Sequence, residues 1–239
     1  MMSPLGDFSM SGIQIILGER WATDRAVVER LRSHDRDHGA FDFANVLDVV
    51  DIFVDGANIG AAASADAIAC LTRDLLAALA RLQSGEEQKV AVPFYESSFE
   101  LVIQRVARPT PALPAPGRRP RARKTAVEEP KVLVTFFRGG PSPEILLRNH
   151  EVKLRELARA VATAGKRLAN QIVKLNRAMA EDAFVRDLRQ LAERVQQAGT
   201  APSPIGEPER ATLEGRGWDR IPARHVPTFV FREIGRAHV

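Results

Sequence analysis

The sequence predicts an α+β fold, a mainly antiparallel sheet with covering helices followed by an amphipathic helical hairpin. Three observations carry this. Short β-branched and aromatic runs separated by turn residues fill the first 150 positions. Pairs of these runs stand close enough to return on each other directly, as antiparallel strands do. A long stretch with apolar residues at helical spacing follows, from Leu154 to Val195.

Ile13 to Leu17 reads as the first strand, ended by Gly18. Thr23 then caps a helix from about Asp24 to Arg32, with Val27, Val28 and Leu31 inward. Phe43 to Gly60, FANVLDVVDIFVDGANIG, is the densest apolar run. Alternation puts Val46, Asp48, Val50, Ile52 and Val54 on one face and Leu47, Val49, Asp51 and Phe53 on the other. Both faces are mostly apolar, so a strand covered on both sides is expected over Val50 to Val54. Asp55-Gly56 then stops it, because glycine accepts a positive φ. Ser64 reads as the next N-cap with Asp66 in the first helical turn, followed by the stripe Ile68, Leu71, Leu75, Leu79 and Leu82 and a stop at Gly85. Val90 to Phe94 and Phe99 to Gln104 form an antiparallel pair across the turn Tyr95 to Ser98. Val132 to Phe137 is strand again, and Ile145 to Leu147 a further short one.

Residues 108–130 differ in kind. Six prolines and the cluster Arg118, Arg119, Arg121, Arg123 and Lys124 leave little to bury, so a disordered basic insertion in the sheet is expected. With about 100° per residue, Leu154, Leu157, Val161, Leu168, Ile172, Leu175 and Met179 share one stripe. Arg155, Arg159, Lys166 and Arg177 lie nearly opposite. Phe184, Leu188, Leu191 and Val195 would fall on the basic side of a straight helix, so a break near Ala180 to Asp182 and a hairpin over 151–198 are expected.

The division that results is an α+β domain over 1–150, the hairpin over 151–198, and a linker with the start of a further region over 199–232. Glu233 to Val239, EIGRAHV, is similar to the translation of a sequencing adapter and reads as an artefact. The expected context is an N-terminal module of a larger bacterial protein. Cys70 is the single cysteine, which excludes an internal disulfide framework and fits a reducing cytoplasm. No apolar run approaches the roughly 18 residues of a membrane span, so no membrane partner is expected. The net charge of +4 hides a division, with −7 over residues 1–107 and +11 over 108–178. The halves either attract each other or leave the middle section to an anionic partner.

Chemistry-bearing patterns are few. Phe53-Val54-Asp55-Gly56-Ala57-Asn58 resembles the first strand of the NYN and PIN-like ribonuclease families. The resemblance implies Asp55 as a ligand of Mg²⁺, with Asn58 steadying the site and Glu96 adding a second carboxylate, for metal-activated phosphodiester hydrolysis. It covers about six residues. Where the family would offer further acids, after Val132 to Phe137, Arg138-Gly139-Gly140 stands instead. His34, Asp35, Asp37 and His38 have metal-ligand spacing without an accompanying cluster, and no metal is assigned to them. Arg118 to Lys124, with Arg155, Arg159, Lys166 and Arg177, are the candidate binding residues, for an acidic protein or nucleic acid. No catalytic set is favoured and no cofactor is expected outside the ribonuclease reading. The expected function is a non-enzymatic interaction or scaffolding module whose partner is another protein or the missing remainder of the same chain. The alternatives are the metal-dependent ribonuclease and a nucleic-acid-binding module.

Overall fold

The computed structural model describes residues 12–34, 40–63, 65–106 and 129–198. In chain order these form β1 (Ile13–Leu17), α1 (Arg25–Ser33), β2 (Leu47–Asp48), β3 (Val50–Val54), β4 (Ala57–Asn58), β5 (Asp66–Ala67) and α2 (Ile68–Ser84). Then come β6 (Lys89–Pro93), β7 (Phe99–Arg105), β8 (Lys131–Arg138), β9 (Glu144–Lys153), α3 (Leu154–Leu175) and α4 (Ala183–Ala198). The fold is α+β, and every ladder is antiparallel. The strands divide into a three-stranded sheet β1-β3-β4, a small β2-β5 pair and a four-stranded meander β6-β7-β8-β9. The basic insertion and the 199–239 segment lie outside the described residues, as do Asp35, Asp37 and His38.

Alternation places Val46, Asp48, Val50, Ile52 and Val54 on the buried side, as the side-chain period dictates. The other side is not covered as expected. Leu47 is exposed and Asp51 and Phe53 are only half-buried. Antiparallel sheets need a cover on one face alone, and the central position of β3 does not change that.

Helices α2, α3 and α4 pack against one another and share one core with both larger sheets. The apolar stripe of α3 is buried from Leu154 to Ile172. Gly165 lets it approach α2, since a Cβ there would stand 2.9 Å from Leu76 Cδ1. The break before α4 occurs where the stripes conflict, but α3 ends earlier than its periodicity implies. Asn176 leaves the helical region, its side chain accepts from the Ala178 amide, and Met179 is buried from a 3-10 turn. Three further boundaries differ from expectation. Asp24, not Thr23, caps α1, accepting from the Val27 amide at 3.0 Å. Asp66 is a strand residue, and α2 starts at Ile68. The short strand at Ile145 to Leu147 runs from Glu144 to Lys153, directly into α3. No helix among the described residues is long and apolar enough to cross a membrane.

Gly60 sits against the backbone of β3, where an added Cβ would meet Val50 O at 2.6 Å and Ile52 N at 2.9 Å. A strand backbone inside a sheet cannot yield as a side chain can. Gly60→Ala is therefore expected to cost about 2 kcal/mol or more. Gly56→Ala faces open space at φ 82°, and its cost should stay near 1 kcal/mol, from the left-handed backbone alone. Urea unfolding of both variants checks the order.

Candidate functional site

The exit of β3 is built by two residues with positive φ, Asp55 at 47° and Gly56 at 82°. Val54 and Ala57 pair across them. Positive φ at both central positions is the geometry that matches strand twist in a two-residue hairpin, and Asp-Gly is a preferred sequence for it. The Asp55 side chain is half exposed. Its Oδ1 accepts from the Gly12 amide at 2.9 Å, and its Oδ2 lies 3.0 Å from His150 Nε2 on β9. The pair joins the end of the three-stranded sheet to the edge of the meander.

The other two residues of the ribonuclease reading are placed differently. Asn58 donates to Asp51 Oδ1 at 2.8 Å and accepts from the Gly60 amide at 3.0 Å, which ties the hairpin's return. Glu96 stands in the turn between β6 and β7, its side chain exposed and its amide bonded to Asp66. The partners of Asp55 are thus an amide and an imidazole. Asn58 shares its hairpin but not its contacts, and Glu96 belongs to the other sheet. Among the described residues no group of three or more His, Cys, Asp or Glu is placed to hold a metal ion.

Two acids that sequence reasoning did not single out as chemistry are the buried carboxylates among the described residues. Asp66 is fully buried and Asp48 is 4% exposed, and they face each other across the β2-β5 pair. Asp66 accepts from the amides of Tyr95 at 3.1 Å and Glu96 at 3.2 Å. Asp48 accepts from the amides of Trp21 at 3.0 Å and Val49 at 2.8 Å. A Cβ on Gly18 would overlap the Asp48 carboxylate at 2.2 Å, so only glycine fits there. Both carboxylates have their hydrogen bonds supplied by backbone, which makes them anchors of turns.

A second group lies where α2 faces the turn after β6. The Tyr95 hydroxyl donates to Asp74 Oδ2 at 2.6 Å. Arg73 pairs with Asp74 at 3.2 Å and lies 5.0 Å from the centre of the Phe184 ring, which stacks on Phe43. Partial burial, then the bond to Asp74, raises the Tyr95 pKa. Burial also raises that of Cys70, against the opposing charge of Arg73. Near neutral pH the group therefore holds a phenol and a thiol in their protonated forms, one as a donor and the other as a small packed side chain. Neither is an activated nucleophile.

Of the candidate binding residues, Arg155, Arg159 and Arg177 are exposed. Lys166 instead leans to α4, where its Nζ donates to Gln196 Oε1. Arg118, Arg119, Arg121, Arg123 and Lys124 lie outside the described residues. No family model, curated protein or solved structure matches the chain.

Removing the fully buried Asp66 carboxylate leaves the part-buried amides of Tyr95 and Glu96 without their partner. Asp66→Ala is expected to cost about 3 kcal/mol, and Asp55→Ala, in solvent, less than about 1 kcal/mol. Equal losses in urea unfolding would contradict these roles.

Tyr95 is the chain's single tyrosine, so phenolate absorbance near 295 nm follows it alone. Its midpoint should lie above the ordinary phenol value of about 10, and Asp74→Asn should lower it. A raised pKa favours the protonated form in the folded state. The associated stability is complete below pH 10 and lost as pH rises through the folded value.

Proposed function

We propose that the chain is a non-enzymatic protein-interaction module that takes up an extended segment of a partner along β9. The observation that supports it is the edge itself. β9 is ten residues long and closes the meander, paired among the described residues on one side only, to β8. Among the described residues no other backbone hydrogen bond reaches residues 144–148. Ile145 is 43% exposed, Leu146 and Leu147 are half-buried against the core, and Arg148 is exposed. An edge of this kind offers free N–H and C=O groups, and exposed aliphatic side chains beside them favour an added strand.

The pairing with β8 slips twice, between Val134 and Phe136 and again between Phe136 and Phe137, and Asn149 has a φ of 48°. Such bulges twist an edge and oppose the stacking of flat strands in series. They leave Glu144 to Arg148 as a short docking site. Arg148 has no ion-pair partner among the described residues. The segment that fits therefore combines an aliphatic residue against Ile145 with an acidic one against Arg148. The single cysteine is consistent with a cytoplasmic setting.

A photo-crosslinking amino acid at position 145 in the native host tests this. One dominant protein adduct is expected, absent when the label stands at exposed Arg32 and lost when Arg148→Glu accompanies it. Adducts that are equal at both positions, or missing at both, sink the proposal. So does metal-dependent RNA cleavage by the purified chain that Asp55→Asn abolishes, which would restore the ribonuclease.

A further inference from the structure

The outward side of α3 carries Arg155, Arg159, Thr163, Arg167, Asn170 and Lys174, all exposed. Their spacings of three and four residues put them in one slightly slanted row. At 1.5 Å per residue the row is about 28 Å long. It contains no acidic and no apolar side chain.

The surroundings add to its charge. Asn170 accepts from Arg189 of α4 at 3.2 Å, and Arg177 is exposed in the turn that follows the helix. The neighbouring acids are occupied, Glu156 by Lys153 at 2.9 Å and Glu19 by Arg167 and Gln171. No hydrogen bond or ion pair engages Arg155, Arg159, Lys174 or Arg177 among the described residues.

Other helices solvate differently. On α1, Arg25 pairs with Glu29 at 2.8 Å. The outward residues of α4 mix Arg186, Asp187, Glu193 and Arg194. An ordinary solvated face carries both signs, and the α3 row carries one.

We infer that this row binds the phosphate backbone of double-stranded nucleic acid without reading its sequence. Every side chain in it, Arg, Lys, Thr or Asn, is a type that contacts phosphate and sugar oxygens. A duplex presents about one negative charge per 1.7 Å of axis, so the length of the row faces many phosphates at once. The row has no aromatic residue on which an unpaired base could stack. It also lacks the apolar anchor on which a protein interface depends, which sets an acidic protein second.

The test uses the whole chain with Arg118, Arg119, Arg121, Arg123 and Lys124 changed to glutamine throughout, so that only the helix is compared. Binding to a mixed-sequence DNA duplex is measured by fluorescence anisotropy against salt. With about four phosphate contacts, affinity should fall roughly a hundredfold between about 50 and 200 mM salt. Arg155→Gln, Arg159→Gln and Lys174→Gln should each reduce the slope by about one. Arg186→Gln with Arg194→Gln, on α4, should leave it unchanged. Circular dichroism should be the same for all variants, because every altered side chain is exposed. Absent binding, an unchanged slope in the α3 variants, or tighter binding to poly-glutamate than to the duplex each overturns the inference. The last outcome assigns the row to an acidic protein, and tighter binding to a single strand overturns the choice of duplex.

Discussion

A carboxylate that solvent cannot reach must find its hydrogen bonds within the protein, because leaving it bare costs far more than any single contact returns. Asp66 meets this condition through the amides of Tyr95 and Glu96, and Asp48 through those of Trp21 and Val49. Since the two acids face each other across β2-β5, this smallest sheet joins the two larger ones. One acid fixes the turn of the meander, the other the exit of β1. The position of β3, and with it the Asp55 turn, follows from these anchors. So does the placement of Tyr95 beside α2.

The described aspartates of the acidic front have their carboxylates occupied in a similar way. Asp24 caps α1, Asp42 caps the turn at Ala44, Asp51 holds Asn58, Asp55 holds Gly12 and His150, and Asp74 holds Tyr95. Among the described residues, the Glu19–Arg167 ion pair and the Asp55–His150 contact link the front segment to the basic middle. Aspartate is short and accepts hydrogen bonds from nearby backbone amides, which suits it to turns and caps. Arginine on a helix reaches outward and buries only its stem. The same division of charge in sequence thus becomes described aspartates engaged by the chain and, on α3, the cations Arg155, Arg159 and Lys174 facing solvent.

What was legible in the sequence follows from the same physics. Strands rich in β-branched residues, such as Val50 to Val54 and Val132 to Phe137, announce themselves because one face must be buried. The stripe of α3 does so for the same reason. β9 is legible only at Ile145 to Leu147, since Glu144, Arg148, Asn149, His150, Glu151 and Lys153 face solvent or the edge and leave no alternation to read. Asp66 misled because an acid ahead of an apolar run has the same local signature whether it starts a helix or anchors a distant turn. Nothing local distinguishes a half-covered β3 from a fully covered one. The contact between Asp55 and His150 is a product of topology, and residues so far apart give no pattern.

The junction between β9 and α3 places both proposed surfaces on regular secondary structure. The strand passes into the helix at Lys153 and Leu154 without a loop, with Val152 and Leu154 buried on either side of the joint. The edge that would receive a partner strand and the row that would meet phosphate therefore lie on successive elements joined without a loop. Docking on either orders no long loop, so little conformational entropy is lost beyond that of the side chains themselves. Their chemistries remain separate. An edge recognises backbone amides and an aliphatic side chain, while the helix row responds to charge density and weakens with salt. If both proposals hold, a protein segment and a polyanion would bind without competing for the same groups.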